Sequence, residues 1–258
     1  MGNIRWFSQV CAGLRRSSAL FVALCRSSAV LFVLRREEWS MKRLVTVVTG
    51  AGPGIGAATC RRLAEDGHDV VVSYAGDADA AEEAAEGVRR SGSRALCVRA
   101  DTSVSADVER LFTSAEKQLG LVTGLVNNGL MNTAGSAGLS AHLADTDPAD
   151  LRRFVEANLL GPLLCSRRAA RVMTPRGNGV IVNVMPCAAT PDAPAHHAMT
   201  NAAVEALTLN LAKELGPGIR VNAVEPGTTE EVAAAIAWLM SPDASYVRGT
   251  VIRGTGGR

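Results

Sequence analysis

Leu44-Val45-Thr46-Val47-Val48, followed at once by Thr49-Gly50-Ala51-Gly52-Pro53-Gly54-Ile55-Gly56, decides how the rest of the chain is read. A short apolar run rich in valine predicts a buried strand, and the helical pattern from Ala57 to Ala64 predicts a helix behind it. The turn between them carries almost no side chain. Backbone N–H groups and the positive end of the helix dipole can therefore approach a pyrophosphate, which points to a dinucleotide. Glycines also occur in turns for purely conformational reasons, so the surrounding chain has to support the reading.

Outward from this turn, apolar runs alternate with amphipathic stretches, the pattern of βαβ units on a parallel sheet. Strands are predicted at Leu44 to Val48, Asp69 to Tyr74, Arg94 to Val98, Gly124 to Asn127, Gly179 to Val184, Ile219 to Val224 and Thr250 to Arg253. Asp147 followed by Pro148 and Asp150 reads as the capped start of a helix. The expected fold is α/β: one doubly wound Rossmann domain over residues 41–258, with strand order 3-2-1-4-5-6-7. Ligands of such sheets bind beyond the carboxyl ends of the strands. Those ends carry the glycine turn, Ser73-Tyr74-Ala75, Asp101-Thr102, Asn127-Asn128-Gly129, Met185-Pro186-Cys187 and Pro226-Gly227.

The chain has 258 residues, 47% of them hydrophobic, enough for one sizeable core. Its net charge of +2 conceals an asymmetry: residues 1–40 hold six arginines against Glu37 and Glu38, leaving 21 basic and 23 acidic residues in the remainder. A near-neutral body argues against a nucleic-acid surface. Six cysteines without a C-x-x-C pair, and no clustered histidines apart from His196-His197, indicate neither a metal site nor a disulfide framework. A reducing, cytoplasmic setting fits this usage. Residues 1–40 are open to three readings: upstream sequence outside the working protein, a targeting or membrane-contacting segment, or a docked helix.

The strand-end residues, taken together, resemble the short-chain dehydrogenase/reductase family. The likeness runs from Met41 to Arg258 and rests on T-G-x-x-x-G-x-G at 49–56, Asp101, Asn127-Asn128-Gly129 in place of N-N-A-G, Asn158, Arg220 to Val224 with Pro226-Gly227, and Gly256-Gly257. The resemblance implies an NAD(P)(H) site made by Thr49, Gly50, Gly52, Gly54, Ile55, Gly56, Ser73, Tyr74, Asp101, Thr102, Asn127, Asn128, Gly129, Pro226 and Gly227. In it Asp101 meets the adenine, Asn127 steadies the strand beside the ribose, and Pro226-Gly227 lies by the nicotinamide. No carboxylate occupies the end of the second strand, where an NAD binder would hold the ribose 2′-hydroxyl, and the first acid is Asp77. That favours NADP(H) over NAD(H). The basic residue that many NADP-using relatives carry in the turn is Pro53 here, with Arg61 and Arg62 nearby in sequence.

The resemblance breaks at the reaction centre. Family members use a tyrosine acid/base, a lysine four residues on, and an upstream serine. This chain has two tyrosines, Tyr74 and Tyr246, and three lysines, Lys42, Lys117 and Lys213, and no such pair. The alignment puts His197 at the tyrosine, Asn201 at the lysine and Pro186 (or Met185) at the serine, while Asn158 of the family's relay remains. His197 reads either as a working acid/base or as a partly exposed or cleft-lining residue; Cys187 reads as a nucleophile or an inert apolar side chain. The substrate lid also looks absent, because Thr228-Thr229 runs directly into a helical pattern. Two functions follow: an NADP(H)-dependent oxidoreductase on a small carbonyl or alcohol, impaired here, or a non-catalytic dinucleotide-binding protein that pairs with itself or an active relative. The resemblance implies that the apolar helical stretches Pro148 to Met173 and Ala195 to Leu215 would supply a homo- or hetero-oligomer face, a homo-oligomer being expected.

Overall fold

In the computed structural model, seven parallel strands form a sheet in the order β3-β2-β1-β4-β5-β6-β7. The structure describes residues 43–128, 142–185, 193–225 and 227–253, together with a two-stranded antiparallel pairing of Val22–Ala23 with Phe32–Val33. The chain divides into two compact units, residues 1–43 and 44–258. The strands are β1 (Val45–Val48), β2 (Asp69–Tyr74), β3 (Ala95–Arg99), β4 (Val122–Asn127), β5 (Gly179–Val184), β6 (Ile219–Val224) and β7 (Val251–Ile252). The helices are α1 (Ile55–Glu65), α2 (Ala78–Arg90), α3 (Ser105–Gln118), α4 (Pro148–Val155), α5 (Gly161–Met173), α6 (Ala195–Glu214) and α7 (Thr229–Met240).

The predicted strand order is the observed one, and each predicted strand is present with ends shifted by at most two residues. The strands themselves are legible because of how their residues divide between the two faces of the sheet. Val70 and Val72 pack into the layer formed with α1, α2 and α7, whereas Val71 between them packs with α3, α5 and α6. A strand buried on both faces must be apolar throughout, and a parallel sheet needs helical cover on both sides. Asp147 caps α4 as its sequence suggests, its carboxylate accepting a bond from the Ala149 N–H at 2.7 Å, with Pro148 in the first turn.

Strand order reverses between β1 and β4, whose carboxyl ends diverge into the glycine turn on one side and Asn128 on the other. That divergence is where a crevice opens in a doubly wound sheet. Behind it, a buried polar chain ties the central strands together: Asn127 Nδ2 donates to Asn183 Oδ1 at 2.8 Å, and Asn183 Nδ2 donates to Thr208 Oγ1 at 2.9 Å. Between α4 and α5, Glu156–Leu160 forms a π-helical turn. Such turns carry an extra residue in the helical ladder and often mark functional sites.

Candidate functional site

A cleft of about 400 Å³ opens at the carboxyl end of the sheet, lined by Gly50, Ala75, Ala100 to Ser103, Asn128, Arg153, Glu156 and Ala157. Four of the residues singled out from sequence, Gly50, Asp101, Thr102 and Asn128, thus share one wall. The turn is fixed by its neighbours: Thr49 N–H donates to Val126 O at 3.0 Å, Asn128 N–H donates to Thr49 Oγ1 at 3.0 Å, and Asn128 Nδ2 donates to Gly50 O at 2.9 Å. Ala51 N–H donates to Ser73 O at 3.0 Å, which stitches the turn to the end of β2.

The glycines do different work. A Cβ on Gly56 would come 2.4 Å from Gly50 O and 2.7 Å from Ala51 Cα, so the fold itself excludes a side chain there. Gly54 starts α1 at φ +92°, a left-handed conformation that costs other residues free energy. Gly52 has nothing within 4 Å of where a Cβ would stand and no left-handed backbone. No packing requirement explains it. An open, bare surface beside the start of a helix with no side-chain cap and no acid in its first turn is what a phosphate group needs. On this observation the residues present fit a dinucleotide.

Asp101 is exposed, and its Oδ1 accepts from Ser103 N–H at 2.9 Å and Ser103 Oγ at 2.6 Å. Oδ2 takes part in neither bond and, at the cleft rim, suits an amino donor such as the adenine amine. Ser73 Oγ is buried without a hydrogen-bond partner. The Tyr74 ring packs against the core layer containing α1 and α2 and does not line the cleft. Asn127 is buried and acts through the strand: it also donates to Ser166 Oγ at 3.1 Å. Gly129, Pro186, Cys187 and Pro226 lie outside the described residues, as do Gly256 and Gly257. Gly227 is described, and α7 begins two residues after it, at Thr229. The chain therefore has no room for a long segment between β6 and α7.

The reaction-centre candidates lie on α6 and the π-helical turn. Asn158 is fully buried in that turn and Asn201 is 6% exposed on α6. His197 is also buried, at 3% exposure, with its neighbour His196 at 2%, so neither is the partly exposed side chain that the sequence allowed for. The physical reason is Phe154: its ring meets both imidazoles edge-on, with centroids 5.1 Å and 4.8 Å away. All four ring nitrogens of the pair lack hydrogen-bond partners. Burial pushes both imidazoles below their usual pKa, with His196 adding to the effect on His197. Of the chain's tyrosines, Tyr74 is core-packed and Tyr246 is 99% exposed beyond the C-terminus of α7. Lys117 and Lys213 sit at the last turns of α3 and α6.

Sequence reasoning passed over Arg153, Glu156 and Ala157 of the cleft, because they come from a helix and its π-helical turn, not from a strand end. It also passed over Glu225, a carboxylate only 8% exposed at the carboxyl end of β6. Its signal was available: a charged residue at the end of a buried strand is rarely buried without purpose. Among the described residues no cluster could hold a metal ion, and no helix is long and apolar enough to cross a membrane.

A family model for short chain dehydrogenases matches residues 44–238. The chain is 38% identical over 245 residues to a cis-4-hydroxycyclohexanecarboxylate dehydrogenase from Sinomonas cyclohexanicum, covering 83% of this chain and 95% of that protein. Among solved structures it is similar to a short chain dehydrogenase from Mycobacterium smegmatis, at 29% identity and TM-score 0.75, covering 84% of this chain and 93% of that one. The promiscuous reductase LugOII, which catalyses keto-reduction at C1 during lugdunomycin biosynthesis, matches at 31% identity and TM-score 0.73 over 83% of this chain and 96% of its own.

Proposed function

The chain belongs to the short-chain dehydrogenase/reductase family, oxidoreductases built on an NAD(P)-binding Rossmann domain, and from that premise we propose that it binds NADP(H) in the cleft and performs the family's hydride transfer poorly. When bound, the nicotinamide would supply or take up the hydride of a small carbonyl or alcohol. The turn 49–56 would hold the pyrophosphate through the backbone amides of Gly54, Ile55 and Gly56, and Asp101 would accept from the adenine. Asn127 would keep β4 in place beside the ribose.

Proton handling is where the chain falls short. The observation that carries this is the state of His197: desolvated against Phe154, shifted toward neutrality and unpartnered. A neutral imidazole offers one donor and one acceptor but little acidity for an oxygen gaining charge. Asn201 would bond a ribose hydroxyl without providing the cationic field that makes a neighbouring acid stronger. Pro186, in the serine's place, has no polar side chain. His197 with Asn158 assisting is the residual acid/base route. Two residues between Pro226 and α7 leave the nicotinamide end open to water.

The second reading, a non-catalytic partner subunit, is favoured by a groove of about 610 Å³ between α5 and α6 lined by Leu163, Leu207, Leu211 and Leu215. A cytoplasmic setting belongs to this proposal too.

Titration of the full chain with NADPH, followed by oxidation assays over a panel of small ketones and aldehydes, tests it. Binding with turnover at least about a hundredfold below an active relative is expected, since a positioned acid/base contributes roughly 10²–10⁴-fold. Turnover equal to that relative overturns the impairment, and turnover lost in His197→Ala assigns the residual route.

A further inference from the structure

Among the described cationic side chains, Arg99 lies beside the end of β2. It occupies the last position of β3, paired in register with Tyr74 at the last position of β2. Its Nε donates to Ala75 O at 3.2 Å, so the guanidinium lies against the residue that follows β2. In a doubly wound sheet the residue just after the second strand is the one that faces the ribose 2′-position. Ala75 lines both the cleft and the adjoining groove in which Arg99 sits. The guanidinium is exposed and has no carboxylate within ion-pair distance among the described residues; Asp107, which shares its groove and feels its charge, is hydrogen-bonded to other donors. Asp107 Oδ1 accepts from Arg110 Nη1 at 2.6 Å, and Asp107 Oδ2 accepts from the Asp101 N–H at 3.0 Å.

Two further observations keep this place open to an anion. Asp77, the first carboxylate after β2, is committed to its own helix: it accepts from the Ala80 N–H at 3.0 Å and caps α2. Gly76 has nothing within 4 Å of the place a Cβ would take and no left-handed backbone, so the fold does not require a glycine there. The bare position leaves room beside the guanidinium. Arg110 shares the groove but is paired with Asp107 at 2.6 Å and donates to Arg99 O at 3.0 Å. Arg61 and Arg62 project from the second half of α1, away from its phosphate-facing first turn, and Arg62 lies 3.9 Å from Asp66. Arg153 lines the cleft from α4 and is paired with Asp150.

We infer that Arg99 is the residue that selects NADP(H) over NAD(H), its guanidinium receiving the 2′-phosphate over Ala75 and Gly76. The inference rests on the dinucleotide reading of the cleft. A planar fork of donors suits a phosphate better than an ammonium does, so lysine restores charge without full geometry.

Calorimetric titration of the full chain with NADPH, NADH, 2′,5′-ADP and 5′-ADP tests it in wild type, Arg99→Ala, Arg99→Lys and Arg153→Ala. In Arg99→Ala the Kd for NADPH and for 2′,5′-ADP is expected to rise at least about tenfold, the scale of a lost charge-assisted hydrogen bond. The Kd for NADH and 5′-ADP should change less than about twofold, Arg99→Lys should recover part of the loss, and Arg153→Ala should not discriminate between the coenzymes. Equal weakening of both coenzymes, or unchanged NADPH binding with an unchanged melting temperature, overturns the role of Arg99 and leaves the dinucleotide site standing. Absence of binding by any of the four nucleotides to wild type removes the site itself.

Discussion

His196 and His197 bring four ring nitrogens into the interior with no hydrogen-bond partner, beside the edge of Phe154. An unfolded chain would bind protons on both near the ordinary 6.5, while burial holds the folded pair below it. His68, hydrogen-bonded through Nδ1 to Thr46 Oγ1 at 2.8 Å, is lowered in the same direction by burial. The unfolded state therefore takes up protons first as pH falls, so this contribution to stability is complete above about pH 6.5 and is lost between there and the lower folded values. Thermal melts from pH 8 to pH 5 should show the midpoint falling below about pH 6.5, and the double variant His196→Phe, His197→Phe should flatten that fall. A pair that melts identically with and without the imidazoles would show that burial is relieved by another route. Asn183, fully buried between Asn127 and Thr208, makes a second residue-scale expectation. Asn183→Ala leaves Asn127 Nδ2 and Thr208 Oγ1 each without that bond and should cost about 1–3 kcal/mol in denaturant unfolding.

The glycine turn is the element on which coenzyme binding depends, and its glycines separate fold from function. Gly52→Ala has free space around its new methyl group and should leave the melting temperature within about two degrees, since exposed substitutions without a packing role stay within about 0.5 kcal/mol. The same change should weaken NADPH binding, because the methyl occupies the surface that a pyrophosphate approaches. Gly56→Ala meets backbone atoms of Gly50 and Ala51 and should lower both stability and binding. If Gly52→Ala binds the coenzyme as wild type does, the turn is not a phosphate cradle. At the other end of the sheet, Arg220 on β6 donates to Leu239 O at 2.6 Å and to Ser241 O and Ala244 O at 3.1 Å, closing the C-terminus of α7. A cation at a helix C-terminus is favoured by the aligned carbonyl dipoles, and here it also pins the helix that follows so closely on Gly227.

On the scale of the whole molecule, α5 presents exposed Leu163 in the apolar groove it forms with α6, and Arg168 ties α5 to α3 through Glu109 at 2.7 Å and Glu116 at 3.0 Å. A rigid, apolar two-helix face of this kind suits a second copy. Light scattering should report an oligomer for the wild type and a smaller species for Leu163→Glu with Leu207→Glu, at unchanged circular dichroism. The seven strands, both helical layers and the α4 cap were legible in the sequence, because β-strand burial on two faces and helix capping are written in local residue types: Val70 to Val72 and Asp147-Pro148 need no distant partner to be read, whereas the order of the strands was expected from the Rossmann architecture. The glycine turn was legible for the same reason. What local pattern does not carry is the approach of residues far apart in the chain. Phe154 closing over His196 and His197, Asn127 joined to Asn183 and Thr208, and Arg99 laid against Ala75 were settled only when the helices and strands packed, since burial, hydrogen-bond satisfaction and the field at a side chain belong to its neighbours in space.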